Sequence, residues 1–466
     1  MRPTLSKTTY MYGMQCHKRF YLNRFHKDLA NPEEEQTQAI FQTGTDVGLL
    51  AQQLFPGGVN AQGEEEWHSE TTVARTAELL KNHAIIYEAA FMFNEVLCAV
   101  DILVRKGNKY YAYEVKSTNS VKEQHIEDAA LQYYIVSNAL QTFTPGMFEG
   151  KVIPSLAEVA ILHFNKEYVR IGDIEVGKLF KPSSVIEEVE AKQAYIPKNI
   201  ADFKKLIYLK NIPDIEMGPQ CNKPYACNFS NYCQSLLAVE EQEEIALDQT
   251  IIVNQESWTH FSQDFQYPLF FFDFETVMYA VPEFNFSRPY QQIPFQYSLH
   301  ILFEPHAKLK HNSHLGNGMA DPRPDLIEQM IRDLGSSGSI ITWNMSFEKG
   351  VIAKLSIDFP EYEEELMAIH SRIVDLMHPF RPKQGVVYSE AFEGSYSIKK
   401  VLPVMAPELS YSDLNIQEGG TASFMYGQMA GLEPNEREQL REDLLAYCHL
   451  DTLAMVKIWE RVEGVK

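Results

Sequence analysis

In the stretch "VLCAVDILVRKGNKYYAYEVKST", residues 96–118, two strand-like runs flank a Gly-Asn pair, the signal of a tight hairpin. With Gly107 and Asn108 as its loop, Asp101 falls directly opposite Glu114, and Lys116 shares the face of Glu114. Ile102, Val104, Tyr111, Tyr113 and Val115 then form the other, apolar face. Two carboxylates about 5 Å apart repel one another, and a divalent cation such as Mg²⁺ lets both stay ionised. A neighbouring lysine can position water and stabilise charge on a phosphoryl oxygen, which are the elements of metal-assisted phosphodiester hydrolysis. An ordinary Glu114–Lys116 ion pair on a solvated strand face is the competing account of the same spacing.

A second acidic set lies further along the chain. In "FFFDFET" Asp273 and Glu275 are two apart on a strand and face the same way, with Phe270, Phe272 and Phe274 on the opposite side. Burying unpaired carboxylates is costly, so this pair calls for a cation or an arginine. In "GSIITWNMSFEKGVIAKL", residues 338–355, a short strand runs into a helix capped at Asn344 or Ser346, which puts Glu348 in the first turn. An acid there suits the helix dipole as well as a metal. In "LREDLLAYCHLDTLAMVKIWERV" the helical period sets Tyr447 and Asp451 at i and i+4 on one face.

The third group is "CNKPYACNFSNYC", residues 221–233, which holds three of the six cysteines with five residues between each. Cys98 and Cys448 lie in apolar segments and read as small buried side chains. Cys16 is left as the natural fourth thiol. Reducing surroundings turn clustered cysteines away from disulfides and toward metal. Four thiolates suit zinc or an iron–sulfur cluster, and zinc ligands usually come in closer cysteine pairs, so the spacing favours iron–sulfur.

Several features of the chain bound how these groups are held. Its 466 residues exceed what one core organises, and 45% apolar with 22% charged residues is ordinary globular usage, so two domains are expected. A formal charge of -22 excludes polyanion binding by bulk charge and leaves only a local groove. The start "MRPTLSKTTYMYG" has no apolar signal core, and no run approaches eighteen apolar residues. A cytoplasmic protein with no membrane association is expected. Between Gln234 and Ser287 there is no Lys or Arg but ten carboxylates, including "EEQEE" at 240–244. That composition reads as a solvated linker at 237–265, separating a domain at 1–236 from one at 266–466. The basic, aromatic stretch "CHKRFYLNRFHK", residues 16–27, suits either phosphate and base contacts or a solvated helix face.

Asp101, then Glu114-Val115-Lys116 and the helix-like "HIEDAALQYYIV" with Gln132, together resemble the PD-(D/E)XK nucleases of the RecB type. Cys16 in "QCHKRFYL", with three cysteines after the core, resembles their iron–sulfur subgroup, which includes the CRISPR-associated RecB-like nucleases and AddB. The resemblance implies a restriction-endonuclease-like core with Asp101 and Glu114 as metal ligands and Lys116 and Gln132 as further catalytic residues. It also implies a structural 4Fe-4S cluster on Cys16, Cys221, Cys227 and Cys233 that fastens the two ends of the domain. Gly48 stands where the family often has a histidine ligand, and Val136 where its Gln-x-x-x-Tyr pattern has tyrosine.

Over residues 266–466, Asp-x-Glu, Asn-x-x-Phe-Glu and Tyr-x-x-x-Asp resemble, in order, the three motifs of the DnaQ-like exonucleases of the DEDDy type. This implies a ribonuclease H-like mixed sheet with flanking helices, an α/β fold overall, and 3′ to 5′ polarity. Asp273, Glu275, Glu348 and Asp451 would hold two ions, Mg²⁺ or Mn²⁺, while Tyr447 orients the attacking water. Glu348 is one methylene longer than the usual aspartate, and "FEGSYSIKKVL" at 392–402 fits the substrate-side connection. Together the two resemblances imply a metal-dependent nuclease of DNA, single-stranded or at ends, in repair, recombination or defence. An RNA-directed exonuclease, or a nucleic-acid-binding module with one or both sites silent, are the alternatives.

Overall fold

The computed structural model describes residues 4–32, 35–63, 69–142, 155–237 and 250–464. The chain divides into two compact units, Met1–Glu241 and Gln242–Lys466, and each combines helices with a β-sheet. Among the described residues, no helix is long and apolar enough to cross a membrane.

The first sheet comprises β1 (Leu5–Ser6), β2 (Val59–Asn60), β3 (Ile85–Phe93), β4 (Val96–Lys106), β5 (Lys109–Val115), β6 (Ser155–Phe164) and β7 (Phe180–Ser184). Its order is β2-β3-β4-β5-β6-β7, with β1 added parallel to β4. Strands β3, β4 and β5 form an antiparallel meander. The helix Glu123–Thr142 then carries the chain over to β6, parallel to β5. The hairpin expected at Gly107–Asn108 is present, with Lys106 paired to Lys109, and Gly107 supplies the positive φ of 63° that such a loop needs.

Helix Glu123–Thr142 packs Ala129, Leu131, Ile135 and Val136 against Phe91, Leu103, Tyr110 and Ala112 of the sheet. Val136 is fully buried there. The faces of β5 alternate as expected, with Glu114 opposite Tyr111, Tyr113 and Val115, but the better covered face is the other one: Tyr110, Ala112 and Glu114 point to the core, whereas Tyr111, Tyr113 and Val115 are only partly covered. Strict alternation was carried through the whole of β4, but the faces switch near Asp101.

The second unit contains β8 (Ile252–Val253), β9 (Leu269–Met278), β10 (Gln292–Leu302), β11 (Lys310–Leu315), β12 (Ser339–Thr342), β13 (Ile373–Asp375) and β14 (Val387–Tyr388). Five of these form a sheet in the order β11-β10-β9-β12-β13, and β8 pairs with β14 in a separate ribbon. Strand β10 runs against both β9 and β11, while β12 and β13 run parallel to β9. The alternation in "FFFDFET" sorts the aromatics as expected. Phe270, Phe272 and Phe274 pack with the helices Arg323–Leu334, Met345–Asp358 and Glu363–Ser371, whereas Leu269 and Phe271 pack with the long helix Pro434–Gly464. Phe272 is fully buried, so its truncation to alanine is expected to cost about 3–5 kcal/mol.

Residues 238–249, which include the acidic run at 240–244, lie outside the described residues, but 250–265 of the expected linker are structured. Residues 252–253 form β8, and Gln255–Ser262 form a helix whose Trp258 is buried against Phe261 and Trp459. Trp258, Phe261 and Phe265 recur at helical spacing. The lack of basic residues masked this stripe, and burial of the stripe attaches the segment to the second unit.

Candidate active sites

In the first unit a cavity of about 660 Å³ is lined by Glu88, Asp101 and Glu114 from the sheet, by Lys7, and by Gly44, Gly48 and Gln52 of the helix Glu35–Gln52. Gly48 thus stands at the cavity wall, with open space beyond its Cα. Glu114 is 2% exposed. Its Oε1 accepts from Lys7 Nζ at 2.8 Å and Lys116 Nζ at 2.9 Å, and its Oε2 from Gln132 Nε2 at 2.6 Å. Lys116 also reaches Asp128 at 2.6 Å. The Glu114–Lys116 pair therefore exists, but buried inside a network rather than on a solvated face.

Burial alone would raise the Glu114 pKa, yet Lys116, Lys7 and the bond from Gln132 hold it well below the usual carboxylate range. Asp101 behaves oppositely. Burial and then the Glu114 charge push it well up, although its Oδ2 accepts from Val115 N–H at 2.6 Å. Glu88 rises to about 7 from burial and then Glu114. A cation in the cavity would relieve both. The donor set suits one: three carboxylates line the cavity, and nearby Asp128 Oδ1 and Gln132 Oε1 are buried with no hydrogen-bond partner. Sequence reasoning missed Glu88, Lys7 and Asp128. Glu88 had a readable signal, as the single charged residue within the apolar strand "IIYEAAFMF".

Cys16, Cys221, Cys227 and Cys233 line one small cavity together with Leu22 and Phe229, and Cys98 and Cys448 are buried elsewhere. Cys16 separates the helices Lys7–Gln15 and His17–Phe25. Protein contacts fasten this region to the three-cysteine loop: Gln15 Nε2 donates to the carbonyls of Gln220 (2.7 Å) and Tyr225 (2.8 Å), and Arg19 Nε to Asn228 Oδ1 (3.0 Å). Within the basic stretch, Arg19, Phe20, Tyr21 and Leu22 are buried, so Arg19 holds the fold, and neither a phosphate contact nor a solvated face describes it.

In the second unit, Asp273 and Glu275 on β9 and Asp451 on the helix Pro434–Gly464 bring one oxygen each to within 4.8 Å of one another. Burial first, then Asp451, Glu348 and Glu275, push Asp273 well above its usual value. Burial and Asp451 raise Glu275 to about 8. Burial raises Asp451 to about 7, against the pull of Tyr411 and Lys399. Glu348, 2% exposed, lies close enough to Asp273 to push its pKa up, and its Oε2 has no hydrogen-bond partner. Burial raises it to about 8. Asn344 stands at the N-cap position, but its side chain makes no cap bond, and its N–H goes instead to Asp375 Oδ1 at 3.2 Å.

Four close acids with a bare buried oxygen are a donor set for hard divalent ions. Tyr447 is buried beside them, and burial and Asp451 keep its hydroxyl protonated. Gly419 borders the acids, and a Cβ there would lie 3.6 Å from Glu275 Oε2 and 3.8 Å from the Tyr447 hydroxyl, ordinary contact distances. Two further residues were missed in the sequence. Tyr411 donates to Asp451 Oδ1 at 2.6 Å, and Lys399, inside the segment 392–402, lends positive charge to Glu275 and Asp451. Tyr411 carries no local signal, because only the fold brings it to Asp451.

Residues 270–397 match the model of a domain of unknown function, DUF2779. That stretch contains Asp273, Glu275 and Glu348, and stops before Tyr447 and Asp451. The uncharacterized protein MG366 of Mycoplasma genitalium is 28% identical over 206 residues, covering 40% of this chain and 31% of the relative. The uncharacterized protein UU173 of Ureaplasma parvum is 29% identical over 213 residues, covering 40% of this chain and 30% of the relative. The chain thus spans under a third of the length of the curated relatives it matches.

Proposed function

We propose that the protein is a divalent-metal-dependent nuclease acting on DNA, with RNA as the alternative polymer, and that the carboxylates of the second unit form its main active site. The observation that carries this reading is the convergence of Asp273, Glu275 and Asp451, with buried Glu348 close to Asp273. The strand order, with β10 alone opposed to its sheet neighbours β9 and β11, supports the ribonuclease H-like reading of this unit.

Mg²⁺ or Mn²⁺ bound there would neutralise the scissile phosphate and acidify water. The chain's own residues do the positioning. Asp273, Glu275, Glu348 and Asp451 fix the ions, the protonated Tyr447 hydroxyl orients water, and Lys399 adds positive charge on the substrate side. Tyr411 keeps Asp451 aimed by its hydrogen bond.

In the first unit, Asp101, Glu114 and Glu88 would hold a further divalent ion, with Lys116 set to stabilise a phosphoryl oxygen and Gln132 holding Glu114. The four thiols around one cavity support a structural 4Fe-4S cluster there. One observation favours a silent site in this unit: Lys7 and Lys116 already neutralise Glu114, and Gly48 brings no ligand to the wall. In that case the unit binds nucleic acid without cutting it.

End-labelled single-stranded DNA and RNA, incubated with Mg²⁺ or Mn²⁺ and with wild type, Lys116→Ala or Asp273→Ala, test both sites. Loss of all cleavage in Asp273→Ala alone supports one working site, and distinct losses in the two variants support two. Binding without cleavage by wild type overturns the nuclease reading.

A further inference from the structure

Away from the acids, β10 and β11 place His300 opposite His311 in register, and the helix Pro434–Gly464 lays His449 against both. The three rings meet in a closed triangle, with centroids 4.6, 4.7 and 4.5 Å apart. One nitrogen from each lies within 4.8 Å of the other two. His300 is 3% exposed, whereas His311 faces solvent.

A chain of hydroxyls borders two of the rings. Thr452 Oγ1 donates to the His449 carbonyl at 3.2 Å and shares hydrogen bonds with Ser298 Oγ at 2.7 Å and His300 Nδ1 at 2.8 Å. Ser298 Oγ in turn shares a hydrogen bond with His311 Nε2 at 3.0 Å. These bonds engage His300 through Nδ1 and His311 through Nε2, so each ring keeps its other nitrogen, His300 Nε2 and His311 Nδ1, for a ligand. Outer groups that hydrogen-bond the second nitrogen of a ligating histidine are the usual support of a metal site, and here hydroxyls play that part for two of the three rings.

We propose that His300, His311 and His449 form a site for a transition-metal ion of the zinc class, separate from the carboxylate set. Neutral imidazoles suit such ions, whereas Mg²⁺ and Mn²⁺ prefer oxygen. Three protein ligands leave a fourth position open, on the solvent side marked by His311. The ion clamps the β10–β11 hairpin to the helix that carries Asp451, and Ser298 of the same hydroxyl chain is paired in register with Asp273. The inference does not depend on nuclease activity.

Full-length protein is stripped with chelator and titrated with Zn²⁺, counting bound equivalents in wild type, His311→Ala, His449→Ala, His311→Cys and Asp273→Asn, with folding checked by circular dichroism. The His→Ala variants are expected to bind one equivalent fewer than wild type, while His311→Cys and Asp273→Asn retain it. The cysteine cavity is common to all five and cancels in the difference. Equal zinc in wild type and both His→Ala variants overturns the site.

Discussion

Glu88 and Asp101 face one another across β3 and β4 at a step where both strands change sides. Tyr87 pairs with Ile102 and Ala89 with Val100, with no ladder pair between them. In regular strands residues three apart point to opposite faces, yet Ile86 and Ala89 share one core, as do Val100 and Leu103. The backbone takes up the change at Glu88, whose φ is 53°. A non-glycine residue held there is strained, and such strain clusters at functional sites.

Glu88→Gln is therefore expected to keep the fold and weaken Mn²⁺ binding at the first cavity, by on the order of 10-fold or more, the scale seen for supporting groups of metal sites. Calorimetric titration in an Asp273→Ala background isolates this cavity. Unchanged affinity would reduce Glu88 to a residue of the strand irregularity alone.

Glu275 and Asp451, raised to about 8 and about 7, bind more protons in the metal-free native state than in the unfolded chain. Their stabilising contribution is complete below the unfolded carboxylate pKa of about 4, and it is lost as pH rises through the folded values. Metal-free wild type should then lose melting temperature relative to Glu275→Gln between about pH 5 and about pH 8.5. Saturating Mn²⁺ should reverse that order at the upper end. Parallel curves for the two proteins would refute the assignment.

The same acids must shed protons to bind a cation, so affinity should rise with pH across this window. Tyr411 lowers the Asp451 pKa through its hydrogen bond. Tyr411→Phe should raise that pKa and move the pH midpoint of Mn²⁺ binding upward. A midpoint that stays put, with affinity lowered equally at all pH, would mean that Tyr411 only shapes the site.

What was legible in the chain follows from range. The hairpin at Gly107–Asn108 and the phenylalanine alternation are set by neighbours within a few residues, and both are found in the structure. Glu114 keeps the face that alternation gives it, but that face is the one turned to the core, because tertiary packing rather than strand period decides which face is covered; in β4 the period itself breaks near Asp101. Trp258 was hidden by the charge bias of the segment around it, since composition does not register a helical stripe. Lys7, Tyr411 and the histidine triangle are products of tertiary contact between distant segments, and no spacing rule reaches them.

The four-cysteine cavity gives the last expectation. If Cys16, Cys221, Cys227 and Cys233 hold an iron–sulfur cluster, Cys221→Ser should lose the broad absorbance at about 400 nm expected of it. It should also lower the melting transition of the first unit, because metal binding there is folding energy. The same two segments are tied by hydrogen bonds from Gln15 to the Gln220 and Tyr225 carbonyls, so destabilisation alone does not identify a cluster. Gln15→Ala is the control: it removes both bonds, costs about 1–3 kcal/mol, and should leave the colour intact. Colour retained in Cys221→Ser would exclude that thiol as a ligand. Colour absent from anaerobically prepared wild type, with zinc in its place, would assign the same four sulfurs to zinc and leave the fastening role unchanged.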